Sequence, residues 1–463
     1  MNDRIKILFF NLDQAGVSYF RTQTPAVQLD EDFNDKFLVE INSNINFSDY
    51  ENALNYLKSF NIIHYHKSLV SDNSLMRKIV ADLKSHNVVL VMDIDDYWQL
   101  DKTHPYFGIA EANKMHLDII ENIKMADYIT TTTDLFASEI KKYNSNVIVL
   151  PNAINQKTML QFQNNWKPDP NGLVRICYSA GSSHRYDVEQ LKGVFNILNS
   201  DPDVKGKFKI ILAGWDTRGE TTDVHFNDTF RKELQLRGLW NSNIIKSINN
   251  SRGDINLIEG LPQDLREKYY GKVFNASKRP IKDEESVYFQ YEEIFTDNYR
   301  IINDPEYVKF LKEIKRGSYP NETIYSRRWT RPANEYAYVL DETDILLAPL
   351  NNHKFNWNKS NLKQVEAFSR KLPIVCTDIP PYNIDGINNK NCLLIPYIKN
   401  NLINKNIDRD WAKAIKSLIL SPELRKQLGE QLYEDFKIKY SLEEVTKKRA
   451  SFYQSIVNVA VEL

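Results

Sequence analysis

Ile5-Lys6-Ile7-Leu8-Phe9-Phe10 is an apolar run that stops at Asn11, passes through a loop holding Gly16, and gives way to a helix-like stretch from about Thr24 to Leu29. A strand-length apolar segment followed at once by a helical one is the start of a βα unit. Further strands are predicted at Asn61 to His64, Val88 to Met92, Tyr128 to Thr131 and Val147 to Leu150. Helical segments are predicted between them, at about Asp49 to Ser59, Ser74 to Ser85, Tyr106 to Lys124 and Asp134 to Lys142. Strands alternating with helices imply a parallel, doubly wound sheet.

The alternation is interrupted and then resumes. Asn155 to Gly172 is polar and ends in Lys167-Pro168-Asp169-Pro170-Asn171-Gly172, a run of chain breakers that reads as an interdomain linker. Strands are then predicted at Val174 to Ser179, Phe208 to Ala213, Ile345 to Ala348, Pro373 to Thr377 and Cys392 to Ile395. Helices are expected near Val188 to Leu198, Ser360 to Arg370 and Arg409 to Ser417, and the chain ends in a helical pattern from Pro422 to Val461. Between Trp215 and about Glu335 the rhythm is lost, in a stretch dense in Arg, Trp, Tyr and Asn that is too long for a loop and is expected to be an insertion with helices of its own. The domain plan is therefore 1–154, a linker at 155–172, a second α/β domain at 173–440 with its insertion at about 215–335, and a terminal helix at 441–463.

Composition narrows the function classes. With 463 residues, 42% of them hydrophobic, the chain exceeds what one core serves, so a cleft between domains is the natural place for a site. Lys plus Arg (60) nearly cancels Asp plus Glu (61), which gives no electrostatic footprint for tight nucleic-acid binding. Cys177, Cys376 and Cys392 lie in apolar, strand-like stretches without metal-ligand spacing and read as buried thiols of a reducing compartment. The N-terminus does not suit a signal peptide, and no apolar run approaches the roughly 18 residues of a membrane span. A cytoplasmic protein is expected.

Ligands of open α/β sheets bind beyond the carboxyl ends of the strands, so the residues that follow each strand are the candidates. After the first come Gly16, which permits close backbone approach, and Arg21, a cation for a phosphate or an acceptor. After Val88 to Met92 come Asp93, Asp95 and Asp96, carboxylates that repel one another unless solvent, a cation or a sugar hydroxyl meets them; turn capping is the alternative. In the second half, Tyr178-Ser179-Ala180-Gly181-Ser182-Ser183-His184-Arg185 follows a strand and precedes a helix expected near Asp187, which makes an anion nest of small residues with His184 and Arg185 as added donors. Phe355-Asn356-Trp357-Asn358-Lys359-Ser360-Asn361-Leu362-Lys363-Gln364-Val365-Glu366-Ala367 follows the strand at Ile345 to Ala348. There Lys359 and Ser360 stand where a helix should start, with Glu366 two turns, about 10 Å, further on the same face. That spacing suits a nucleotide diphosphate along the helix, phosphates at its start and ribose hydroxyls at the glutamate; an ordinary amphipathic helix is the alternative.

At these residues the chain resembles the family 4 type of retaining glycosyltransferases, which have the GT-B fold: two Rossmann-like domains facing each other across a cleft. Ala126 to Thr131 with Val147 to Ile154 is similar to the end of that family's first domain, Tyr178 to His184 to its phosphate loop, and Lys359 to Lys363 through Glu366-Ala367 with Pro373-Ile374-Val375 to its nucleotide-binding helix. Arg327-Arg328-Trp329-Thr330-Arg331-Pro332 looks like a feature of transferases of tailed phages and AT-rich bacteria. The resemblance implies that Glu366 binds the donor ribose and that Lys359 or Ser360 contacts its phosphates. It also exposes a departure: the family's second glutamate, eight positions earlier, is here Asn358, which hydrogen-bonds a sugar but supplies no charge. The Asp-x-Asp of Asp93 and Asp95 resembles instead the metal site of the single-domain GT-A fold.

The expected activity is transfer of a sugar from a nucleoside diphosphate sugar to a hydroxyl of a glycan or other cell-surface precursor, with no cofactor and no metal. Asp95, Asp96 and Asn358 are the catalytic candidates; Gly16, Arg21, Gly181, Ser182, His184, Arg185, Lys359, Ser360 and Glu366 are the donor-binding candidates. The rivals are a phage-type enzyme that glycosylates a modified base in DNA within a host cytoplasm, and a catalytically silent module that binds a nucleotide or glycan.

Overall fold

The computed structural model describes residues 4–10, 16–214, 220–251, 255–280, 294–295, 325–328 and 330–462. In chain order the strands are β1 (Ile5–Phe10), β2 (Phe37–Asn42), β3 (Ile62–His66), β4 (Val89–Asp93), β5 (Tyr128–Thr131), β6 (Val147–Val149), β7 (Val174–Ser179), β8 (Phe208–Ala213), β9 (Glu220–Phe226), β10 (Phe274–Pro280), β11 (Tyr325–Arg328), β12 (Ile345–Ala348), β13 (Ile374–Thr377) and β14 (Leu393–Ile395), with a short exposed hairpin after them. Among the described residues twelve of these make two six-stranded parallel sheets, ordered β2-β1-β3-β4-β5-β6 and β11-β8-β7-β12-β13-β14, while β9 and β10 pair apart from both. The α/β fold of two facing Rossmann-like domains is the one the sequence predicts.

The central strands are buried on both faces because helices cover both, so they read as largely apolar runs; β12, Ile-Leu-Leu-Ala, has no exposed position. Helix starts are fixed locally. Asp72 accepts from the backbone N–H of Ser74 and Leu75, and Thr133 from that of Phe136. The helix predicted over Tyr106 to Lys124 is in fact two, Phe107–Ala112 and Met115–Met125, because Lys114 takes a left-handed conformation (φ 49°) between them. Likewise Gly193 (φ 86°) divides Val188 to Leu198 into a 3-10 turn and the helix Val194–Ser200.

One apolar core runs beneath the cleft and joins the domains. Phe20 and Leu150 of the first domain, Phe162 of the linker, and Cys177, Leu346 and Ala367 of the second belong to it. The predicted linker is thus partly built into this core: Asn155, Met159, Gln161 and Phe162 are buried, while Lys157, Thr158, Leu160 and the breaker-rich end are exposed. The terminal helix Leu442–Glu462 returns to the first domain and packs Ala450, Tyr453 and Ile456 against Phe9, Leu29 and Phe37. All three cysteines are buried thiols.

Within the insertion, β9 and β10 pair antiparallel and enclose the helices Asp228–Leu236, Ser242–Ser251 and Gln263–Lys268. These helices have their own core around Phe230, Ile248, Leu265 and Tyr269. The module reaches the first domain, where Lys272 Nζ lies 3.6 Å from Asp72. The aromatic stretch Tyr288 to Tyr299 falls outside the described residues apart from Ile294 and Phe295, and Phe295 stacks on Tyr178 with ring centroids 5.7 Å apart. Tyr325 to Arg328, expected to belong to the insertion, is instead the edge strand β11 of the second sheet, in register with Ile210 to Ala213 of β8.

Candidate active site

A cavity of about 1030 Å³ opens between the carboxyl ends of the two sheets. Gly16, Phe20, Arg21, Asp95, Asp96 and Asn152 face it from the first domain. The second domain contributes Tyr178 to Gly181, Ser183, His184, Gly214, Arg328, Tyr336, Lys359, Ser360, Lys363 and Glu366 among others. This is where a doubly wound sheet leaves its strand ends and helix starts unpaired.

The second-domain wall is built on the helix Leu362–Phe368, whose N-cap is Asn361. Lys359 and Ser360 therefore stand before the helix and not in its first turn as predicted. The cause is local: Asn358 closes the short helix Lys354–Trp357 by donating from its amide to the Lys354 carbonyl (2.7 Å), and asparagines compete with the backbone in this way. Lys359 and Glu366 still both face the cavity. Glu366, 1% exposed, accepts a 2.8 Å hydrogen bond from the Tyr336 hydroxyl at Oε1 and another of 2.8 Å from Lys363 Nζ at Oε2. Burial, with Glu366 beside it, pushes the Tyr336 hydroxyl far above its ordinary pKa, so it stays a donor. Gly214 (φ 89°) closes the floor; a Cβ there would stand 2.4 Å from the Ala180 carbonyl, so only glycine lets the two strand-end loops approach this closely.

Contacts cross the cleft. Lys359 Nζ lies 3.6 Å from Asp96 Oδ1, and Asn152 donates a 3.0 Å hydrogen bond to Ser360 Oγ. Although burial opposes it, the cations Lys359 and Lys67 hold the Asp96 carboxyl below its ordinary pKa. Asp95 behaves oppositely: burial, with Asp96 next to it, raises its pKa.

Deeper in the first domain, Arg21 is 1% exposed and grips Asp93 with two bonds, 3.0 Å from Nε and 2.7 Å from NH2. Its NH1 donates to the Leu150 carbonyl (2.7 Å) and to Asn152 (3.0 Å). Arg21 touches the cavity, but its guanidinium is committed to this network. Against the cost of burial, Arg21 and His66 keep Asp93 ionised well below the ordinary carboxylate range.

The other candidates separate. Gly16, Gly181 and His184 line the cavity, and His184 Nδ1 lies 2.8 Å from Asp187. Arg185 is not among the lining residues; it stacks 4.9 Å over the Tyr186 ring. Asn358 is 2% exposed and does not line the cavity either. Ser182 begins a 3-10 turn, and its side chain lies outside the described residues. Sequence reasoning missed Tyr336, Lys363, Gly214 and His66; Lys363 and Gly214 had signals, a lysine one turn before Glu366 and a glycine directly after a strand. Among the described residues no group of three His, Cys, Asp or Glu side chains is placed to hold a metal ion, and no helix is long and apolar enough to cross a membrane.

No protein-family model matches the sequence, and no curated protein matches it. Solved structures do share its architecture. Anabaena Alr3699/HepE in complex with UDP-glucose superposes with a TM-score of 0.54 at 9% identity over 98% of this chain and 100% of that one. Sucrose-phosphate synthase (tll1590) from Thermosynechococcus elongatus gives 0.53 at 11% identity, with 98% and 100% covered. A glycosyltransferase from Rickettsia africae ESF-5 gives 0.50 at 10% identity, with 98% and 99% covered. At these identities the likeness is one of fold, and that fold is GT-B.

Proposed function

We propose that the protein transfers a sugar from a nucleoside diphosphate sugar to an acceptor hydroxyl, the second domain holding the donor and the first presenting the acceptor. The observation that carries this reading is the facing of two unlike walls across one cavity: Lys359, Ser360, Lys363 and Glu366 on one side, Asp95 and Asp96 on the other. A nucleoside diphosphate leaving group gains one negative charge at the oxygen of the bond that breaks, on top of the two it already carries, and fixed cations in the cleft stabilise that charge without reorganising. Lys359 and Lys363 supply it, with the backbone N–H groups around Gly181. Glu366 already accepts two bonds, yet a carboxylate has about four lone-pair sites, so two remain for ribose hydroxyls. The complex of HepE with UDP-glucose makes UDP-sugars the first donors to try.

In this reading Asp95, with its raised pKa, accepts the proton of the acceptor hydroxyl, and Asp96 steadies Lys359 until the diphosphate replaces it. The lysines carry the leaving-group charge, so no resident metal is part of the proposal. Retention of anomeric configuration, the outcome the resemblance implies, requires in a single displacement that the acceptor attack the face the diphosphate leaves; attack from the opposite face inverts, and the anomeric proton coupling of the product distinguishes the two. The testing experiment is a thermal-shift screen of nucleoside diphosphates and their sugars on the full chain. A ligand at 100 times its dissociation constant adds about 2.7 kcal/mol to stability, which is readily seen. A UDP-, GDP- or ADP-sugar that raises Tm and then releases its nucleoside diphosphate supports the reading. Binding without release makes the protein a nucleotide-sugar-binding module, and no shift with any donor removes both.

A further inference from the structure

His66 ends β3 in parallel register with Asp93, the last residue of β4. Its Nδ1 lies 3.2 Å from Asp93 Oδ2 and its Nε2 lies 3.5 Å from Asp95 Oδ1. Asp93 also takes both bonds of Arg21 and a 2.6 Å hydrogen bond from Thr130 Oγ1. A carboxylate locked to a guanidinium only accepts, so the hydrogen at His66 Nδ1 sits on the imidazole. The ring is thereby fixed in orientation with Nε2 aimed at Asp95, and since both nitrogens face carboxylates it is the imidazolium, with N–H on each, that donates to both.

Asp95 Oδ1 needs that partner. It is buried and among the described residues has no hydrogen bond, although Lys67 Nζ lies 3.8 Å away. The His66 nitrogen stands a few tenths of an ångström beyond hydrogen-bond length, a gap that catalytic contacts often show before substrate arrives. A buried carboxylate oxygen left unpaired is costly, so closing the gap is favourable.

We propose that His66 is a positioning residue for Asp95: oriented by the Arg21–Asp93 pair, it holds Oδ1 in the domain wall and leaves the second carboxylate oxygen to the acceptor hydroxyl. This rests on the transferase reading above. In the step it serves, the acceptor O–H proton passes to Asp95 and the freed electron pair of that oxygen forms the new bond to the anomeric carbon. The bond from that carbon to the diphosphate breaks, its pair leaving on the nucleoside diphosphate. Burial and the neighbouring Asp96 raise the Asp95 pKa, which suits a proton acceptor.

Two substitutions separate the nitrogens. The amide of His66→Asn mimics Nδ1 and keeps the bond to Asp93 but loses Asp95; the amide of His66→Gln mimics Nε2 and keeps Asp95. Release of UDP from UDP-glucose with water as acceptor, or of the nucleoside diphosphate from whichever donor most raises Tm, is measured as kcat and KM. The expected result is a fall in kcat of about ten-fold or more for His66→Asn with the donor KM within about two-fold, and a kcat within about three-fold of the unsubstituted protein for His66→Gln. Full kcat in His66→Asn overturns the proposal, as do equal losses in both variants that track a lower Tm, the mark of a purely structural histidine. Failure of the unsubstituted chain to turn over any donor overturns the transferase reading beneath it, and that outcome is distinguishable because it appears before any substitution is made.

Discussion

Tyr336 donates a 2.8 Å hydrogen bond to Oε1 of Glu366 from a separate part of the chain, 30 residues earlier. Glu366 is thus a preorganised acceptor, both oxygens held by Tyr336 and Lys363 before any ligand arrives. Glu366→Ala would strand both partners in a buried wall, so Glu366→Gln is the cleaner variant. Loss of the carboxylate charge towards ribose hydroxyls is expected to cost roughly 1.5–3 kcal/mol of donor binding, about ten- to a hundred-fold in Kd, with Tm little changed. Calorimetry with the donor measures it, and an unchanged Kd removes Glu366 from the donor site.

Asp93, half of the Asp-x-Asp that resembles a GT-A metal site, is paired at 2.7 and 3.0 Å with Arg21. A carboxylate so engaged offers a cation little. Turnover is therefore expected to survive EDTA unchanged. Complete loss on chelation, restored by manganese, would make Asp95 and Asp96 cation ligands and overturn the division of charge between the walls.

The legibility of this chain follows burial. Strands β7, β8 and β12 are predicted to the residue because they are buried and mostly apolar, broken only by Arg175 and Ser179 in β7 and Lys209 in β8. Two of the edge strands are missed, since β2 carries Glu40 and Asn42 and β11 ends in two arginines and neither shows a continuous apolar signal; the edge strands β6 and β14 are apolar throughout and are predicted. The same limit applies to the site. Asp95, Asp96, Lys359 and Glu366 follow strands and declare themselves locally. His66 does not, because its meaning depends on β3 lying beside β4, and Tyr336 does not, because it reaches Glu366 only after β11 and β12 have taken their places in the sheet.

His64 supplies a pH prediction. It is fully buried between β1 and the terminal helix, its ring 4.9 Å from that of Phe9 and its Nδ1 2.8 Å from the Tyr453 hydroxyl. Burial, aided by Arg449, pushes its pKa down to about 3. The folded pKa is below the unfolded value of about 6.5, so as pH falls the unfolded chain binds the proton first; stability is lost progressively from about pH 6.5 down to about pH 3. At pH 5 this histidine alone is expected to cost about 2 kcal/mol relative to pH 7. His64→Gln, which does not titrate, should show that much less loss in urea unfolding at the two pH values. Parallel losses in both proteins would mean that other groups govern the acid limit.

Arg328 decides which wall the stretch after the insertion serves. The sequence places Arg327, Arg328 and Trp329 in the insertion, but the Arg327 side chain and Trp329 lie outside the described residues, and Arg328 sits on β11 opposite Ala213. Its NH2 lies 2.6 Å from Glu342, and both residues line the cavity beside Gly214, whose N–H donates 3.2 Å to the Arg328 carbonyl and whose own carbonyl accepts 2.9 Å from Thr330. The chain then runs through Tyr336 to Glu366, so Arg328 shares a wall with the proposed ribose site and is separated by the cavity from Asp95. Arg328→Gln should accordingly raise the donor Kd, by about ten-fold if one charge-assisted contact of roughly 1.5 kcal/mol is lost, and lower transfer in the same proportion. Substitutions on the module between β9 and β10, which has its own core and approaches the first domain at Asp72, should leave donor affinity within about two-fold. Donor titration of both sets of variants is the measurement. If Arg328→Gln binds the donor normally and still loses transfer, this stretch belongs with the acceptor, and the boundary between the two binding functions must be drawn on the near side of β11.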